Sequence, residues 1–272
     1  MSGLIKVALD AGHGKSTPGK RCLKKLDKKE TREWVLNDRI ASYLEDYLKS
    51  AGHEILRVDD TTGKRDVPLA ERVSKAEKWG ADIYVSIHHD SGIQGKSGGG
   101  TTIFISTHAS KKSKQVQHAI YNRHIEYAKL KGNRSDGTRT ADFYVLVHTN
   151  MPAVLIENGF MDSRTDIKKI LDPAWSKKAA FGIAKGVCDI YGGKVGGISI
   201  VNKKPTKKPS TSKTIKVGNK VKYSGYVYRD SVGKGRGAKI SGNYIVSLRN
   251  SNKYGVHLKG YGWVKPTECK KL

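Results

Sequence analysis

Cysteine is scarce: Cys22, Cys188 and Cys269 stand far apart in 272 residues, odd in number and outside any CxxC pair. That excludes a disulfide framework and a cysteine-built zinc site, and it fits a chain made in a reducing cytosol. Acidic side chains are also few, 25 against 51 Lys and Arg, for a net charge of +26. So large an excess predicts a polyanionic partner or environment: nucleic acid, an acidic membrane or an anionic cell-wall polymer. Aromatic residues make up only 8 %, and lysine outnumbers arginine. Lysine is a solvated point charge, whereas base readout favours bidentate arginine, so the charge predicts electrostatic targeting and no nucleic-acid partner. No apolar run approaches the roughly 20 residues of a membrane span, which predicts no membrane insertion. Met1-Ser2-Gly3 leads straight into a strand-like run without a leader pattern, so a soluble chain made in the cytoplasm without a signal peptide is expected.

What is present falls into two unlike parts. The stretch GGKVGGISIVNKKPTKKPSTSKT, residues 192–214, is too poor in large apolar groups to pack and reads as a semi-extended linker over 193–214. It separates a domain of residues 1–192 from one of 215–272. Beyond residue 193 lie 19 basic and 2 acidic side chains, so the tail carries most of the excess charge.

In the first part, strand and helix patterns alternate. LIKVAL (4–9), HEILRV (53–58), ADIYVSIHHD (81–90), GTTIFIST (100–107), FYVLVHT and PAVLIENGF predict strands. Helices are predicted over 33–52, where Val35, Leu36, Ile40, Leu44, Tyr47 and Leu48 recur at helical spacing, and over 68–79, 111–130 and 173–191. This order predicts an α/β fold, a mostly parallel or mixed sheet flanked by helices on both faces. Beyond the linker, short alternating strands with glycine turns predict a small all-β barrel. Seven aromatics interleave there, Tyr223, Tyr226, Tyr228, Tyr244, Tyr254, Tyr261 and Trp263. About half are expected in the core and the rest on a stacking surface for sugar or peptide.

The first strand breaks into DAGHGKSTPG, which has the texture of a phosphate loop. Counting back from Gly14-Lys15-Ser16, however, the glycine that a Walker loop requires falls on Leu9. A metal explains the loop better, because ligands in open α/β sheets gather where strands end. His13 follows the first strand, His88-His89 end another, and Glu157 closes the apolar run AVLIE. A carboxylate ending a buried strand is costly unless it faces a cation or works as an acid/base. Taken singly, each has a plain reading: His13 as a solvated loop residue, His88 as a hydrogen-bonded core histidine and Glu157 as a helix or loop cap. Their shared position at strand ends raises the joint assignment. The loop glycines are expected to let the chain turn sharply off the strand, leaving Lys15 and Ser16 on the rim. Strand alternation does not choose between His88 and His89, and Glu30 competes with Glu33.

DAGHG (10–14), EWVLN (33–37), ADIYVSIHHD (81–90) and MPAVLIENGFMD (151–162) closely resemble, in order and spacing over about residues 1–192, the zinc-dependent N-acetylmuramoyl-L-alanine amidases. Departures are Ala11 where the family has proline, and His89-Asp90 where it has a small residue and asparagine. The resemblance implies one Zn2+ held by His13, Glu33 and His88, with Glu157 as the catalytic acid/base. The substrate it implies is peptidoglycan, cut between N-acetylmuramic acid and L-alanine. Arg134 and Arg139 lie in a segment resembling the border of the family's groove, where they could touch glycan or peptide carboxylates or serve only as solvated loop charges. The tail is similar to bacterial SH3-type wall-binding domains, which implies retention on an anionic Gram-positive wall. An endolysin-type enzyme, released by a phage holin or by lysis, is the expected whole. Competing expectations are another zinc peptidase acting on the stem peptide, a basic nucleic-acid-binding protein and a catalytically dead binder.

Overall fold

The computed structural model describes residues 4–132, 137–196, 215, 217–230, 235–249, 255–265 and 268–271. Arg134, Tyr254 and most of the expected linker (197–214) lie outside them. The chain divides into two compact units, Met1–Ile200 and Val201–Leu272.

The first unit is built on a six-stranded sheet. In chain order its elements are β1 (Lys6–Ala11), α1 (Glu33–Ser50), β2 (Glu54–Arg57), α2 (Leu69–Trp79), β3 (Ile83–Asp90) and β4 (Thr101–Ile105). Then come α3 (Lys111–Ala128), β5 (Thr138–Thr140), α4 (Tyr144–Val147), β6 (Ala153–Phe160), α5 (Ile167–Ile170) and α6 (Pro173–Tyr191). The strands lie in the order β2-β1-β3-β6-β4-β5. The first four run parallel, β4 is antiparallel to β6, and β5 is parallel to β4, so the sheet is mixed.

Alternation along the strands makes two cores. Val7, Leu9, Ile83, Val85, Ile87, Val154 and Ile156 face α1, α3 and α6. Ala8, Tyr84, Phe104 and Leu155 face α2 and α4, whose Val73, Ala76, Val145 and Leu146 complete the second layer. Burial on both faces explains why these strands read as continuous apolar runs. Val195 still packs into the first core, three residues past the expected end of the domain.

One predicted element changes type. FYVLVHT, expected as a strand, forms the single turn α4. Val145 and Leu146 both pack into the second core, whereas adjacent residues of a strand would point to opposite faces. The Thr149 hydroxyl donates to the Val145 carbonyl (2.8 Å), which satisfies the end of the turn. The edge strand β5, not predicted, lies just before it.

The second unit contains β7 (Lys220–Tyr228), β8 (Arg236–Arg249), β9 (Val256–Leu258), β10 (Gly262–Val264) and β11 (Lys270–Lys271). Their order is β10-β9-β8-β7-β11, and β10 also pairs with β7, closing the sheet on itself. Val221, Tyr223, Val227, Val246, Val256, Leu258 and Val264 fill it. Of the interleaved aromatics, Tyr223 is buried while Tyr226 and Tyr261 are exposed. Among the described residues, no helix is long and apolar enough to cross a membrane.

Candidate metal centre

The site is assembled at the carboxyl edge of the parallel strands. β1 delivers Asp10 and Ala11 into the core, and His13 then turns the chain with φ of 66°. Positive φ is uncommon outside glycine, and such conformations persist where their surroundings fix them. Here the fixing group is Arg72 on α2. It ion-pairs with Asp10 and donates to the carbonyls of Ala11 (2.9 Å), His13 (3.1 Å) and Val67 (2.7 Å). Asp10 also accepts from the Ser86 hydroxyl on β3 (2.8 Å).

The loop glycines act differently from the expectation. His13 itself takes the left-handed conformation, not Gly12 or Gly14. Gly12 is required because a Cβ there would lie 2.0 Å from Cε1 of His88. The His88 ring rests on bare backbone, 4.9 Å from the His13 ring and nearly perpendicular to it.

Glu33 opens α1, where its backbone N–H donates to the Lys20 carbonyl (3.0 Å). Its carboxylate is 1 % exposed, with Oε1 lying 3.5 Å from His13 Nε2 and 3.2 Å from His88 Nδ1. His13, Glu33 and His88 each offer a ligand atom, all within 4.8 Å of one another. One turn on, Asn37 Nδ2 donates to the Gly12 carbonyl (3.1 Å). Its Oδ1 accepts from His89 Nδ1 (2.7 Å). The two competitors of the sequence are thereby separated from the cluster: His89 points to the opposite face, and Glu30 forms a surface pair with Arg21 (3.4 Å).

Glu157 on β6 lies beside His88 in the parallel register. Its Oε2 is buried without a hydrogen-bond partner, as is Oε2 of Glu33. Burial raises the Glu157 carboxyl to about 8, and Glu33 and Asp90 add to the rise against His88. Burial would also raise Glu33, but His88, His13 and Lys20 outweigh it and hold the carboxyl at about 2. His13 is lowered to about 4, chiefly by burial. The pair thus divides into an anion placed between two imidazoles and a carboxyl that changes state near neutral pH.

His13, His88 and Glu157 line a cleft of about 550 Å³, with Glu33 buried behind them. Lys20, Asp66, Leu69, Phe143 and Tyr144 also line it and were not singled out in the sequence, since each is an ordinary loop or helix-start residue by pattern. Arg139 does not line it. That residue sits on β5 with its guanidinium 5.9 Å from the Phe104 ring. Lys15 donates to the Thr62 carbonyl (2.6 Å) and covers the Trp34 ring.

A mixed α/β sheet with two imidazoles and two carboxylates converging at its carboxyl edge offers the donor set of a candidate metal site in a catalytic cleft. Residues 7–189 match the family model described as N-acetylmuramoyl-L-alanine amidase. The chain is 30 % identical over 188 residues to the N-acetylmuramoyl-L-alanine amidase CwlM of Bacillus licheniformis, covering 69 % of each. It is 31 % identical over 210 residues to the endolysin of Bacillus phage SPP1, covering 76 % of this chain and 73 % of that one. The catalytic domain of CwlV, an amidase from Bacillus (Paenibacillus) polymyxa var. colistinus, superposes with a TM-score of 0.61 at 25 % identity, over 70 % of this chain and all of that one. An amidase from Clostridium difficile 630 gives 0.60 at 28 % identity, over 68 % and 96 %. The chain belongs to the N-acetylmuramoyl-L-alanine amidase family, and it is a peptidoglycan hydrolase.

Proposed function

We propose that His13, Glu33 and His88 hold one zinc ion and that Glu157 is the acid/base of amide hydrolysis. Three donor atoms within 4.8 Å, with an unpartnered buried carboxyl beside them, carry this assignment. Zinc bonds of about 2.0–2.1 Å set ligand atoms roughly 3.3 Å apart around a tetrahedron. The 3.5 Å and 3.2 Å separations to Glu33 Oε1 are close to that spacing. Two imidazoles and one carboxylate leave an open position, and the buried Glu33 anion favours a cation there. When bound, zinc supplies the Lewis acid that polarises the scissile carbonyl and lowers the pKa of water.

The chain's own residues supply the rest. Arg72 and Gly12 fix where the His13 and His88 rings stand. Glu157, beside His88 on the cleft wall, can take a proton from the attacking water and return it to the departing L-alanine amine. The cleft walls hold the substrate and limit water. Glu157→Gln is expected to keep the metal and lower turnover by about 10²–10⁴, whereas His13→Ala loses both. Metal content and hydrolysis measured on the same preparations decide it: an active Glu157→Gln enzyme contradicts the assignment.

We further propose that the chain has three parts, the amidase, a linker within 193–214 and a C-terminal SH3-like module that retains it on an anionic wall. The self-closing β-sheet, the exposed Tyr226 and Tyr261 and the excess of basic residues support this.

A further inference from the structure

Large apolar side chains are exposed at few places in the first unit, and three of them meet at the cleft. Leu69 is 51 %, Phe143 41 % and Tyr144 37 % exposed. Leu69 opens α2, and Phe143 and Tyr144 open α4, two helices packed together on one face of the sheet. Phe143 is held edge-on by Phe104, with ring centroids 5.3 Å apart, and Tyr144 by the stacked His148 ring at 3.9 Å. Both aromatic rings are thus braced by ring contacts, and none of the three residues belongs to the metal cluster. The other side of the cluster is cationic. Lys20 lies in the loop that meets α1, the helix packed on the opposite face of the sheet, and is 44 % exposed with its ammonium 3.9 Å from Glu33 Oε2. The acidic rim residue, Asp66, is already engaged by Arg72 (3.1 Å) and Thr17 (2.6 Å).

The substrate is polarised in the same sense. On one side of the scissile amide lies an amino sugar whose lactyl carboxyl is consumed in that amide, so it is uncharged and offers C–H faces. On the other side lies a peptide, which carries at least one carboxylate. We infer that the cleft fixes the direction of the substrate: the sugar seats on Leu69, Phe143 and Tyr144, and a carboxylate of the departing peptide pairs with Lys20. Aromatic faces suit the apolar face of a pyranose, and a half-buried ammonium next to the cluster suits a carboxylate. The reverse placement sets an anion on an apolar rim and leaves Lys20 without a partner in the substrate. This inference rests on the cleft being the amidase site, and it names which wall reads which half of the substrate.

Kinetics of the full-length protein on four small substrates test it. They are N-acetylmuramoyl-L-alanyl peptides and their sugarless lactoyl analogues, each with carboxylates free or capped as carboxamides. The wild type is expected to prefer free over capped peptides by about tenfold in kcat/KM, and Lys20→Met to abolish that preference. It is expected to prefer muramoyl over lactoyl substrates, and Phe143→Ala or Leu69→Ala to reduce that preference, mainly through KM. Leu69→Ala serves where loss of the Phe104 contact unfolds the Phe143 variant. A carboxylate preference that survives in Lys20→Met, or a sugar preference that survives in both rim variants, overturns the inference. If the wild type releases no L-alanyl amino terminus from any of the four, the amidase site itself is misassigned, which is a different failure.

Discussion

Gly12 is the residue at which sequence and structure differ most usefully. Read from sequence, its glycine supplies flexibility for a turn. In the fold it supplies space, because the His88 ring occupies the volume where a Cβ would stand. The strained residue is His13, held by carbonyl contacts to Arg72. Gly12→Ala is therefore expected to displace His88 and weaken metal binding by about 10–100-fold, the scale at which ligand-orienting groups act. Chelator competition measures it, with far-UV circular dichroism to show that the fold is kept. Unchanged affinity means that the ring moves aside at no cost.

At the scale of elements, α2 is bound to β1 through a buried charge. Arg72 and Asp10 are each about 1 % exposed. Removing one partner of such a pair leaves the other charged and unpaired, so Arg72→Met is expected to cost about 3–5 kcal/mol in urea unfolding. A second tie joins α3 to β6 and is sensitive to acid. His124 is fully buried between Thr101 and Asn158 (Nε2 to Oδ1, 2.9 Å), and burial lowers its pKa to about 4. The unfolded chain binds a proton there near pH 6.5 and the folded chain does not, so stability is complete above about 6.5 and falls as pH drops towards 4. At about 1.4 kcal/mol per unit, His124 alone accounts for about 3 kcal/mol of that loss. His124→Gln is expected to flatten the slope of Tm between pH 6.5 and 4.5, and an unaltered slope assigns the acid sensitivity elsewhere. Much of this architecture was legible, since strands buried on both faces announce themselves as apolar runs and their polar endings mark the carboxyl edge. The single turn α4 was not, because Val145 and Leu146 look the same in a strand and in a turn until both are seen to enter one core. Nor were Arg72 and Lys20: a charged residue in a helix or basic loop gives no sign of which carbonyl or carboxylate it will meet. The choice of His88 over His89 rested on the family resemblance, because both faces of the sheet are covered and alternation alone does not choose between them.

At the scale of the whole molecule, charge is distributed unevenly along the chain. With most of the basic excess beyond residue 193, binding to anionic walls is expected to weaken steeply as salt rises. Turnover of a small muramoyl peptide under the same salt series is expected to change far less, because its contacts lie within the cleft. Equal salt dependence of the two would remove the retention role from the tail. The cluster of His13, Glu33 and His88, with Glu157, is proposed to cut the muramoyl–L-alanine amide with a bound metal. Purified walls digested by the full-length protein with and without chelator test it most directly, with the new chain ends identified. New L-alanine amino termini are expected, with no new reducing sugars and with loss of both activity and new termini on chelation. New reducing sugars, or amino termini that appear equally in the presence of chelator, would contradict it.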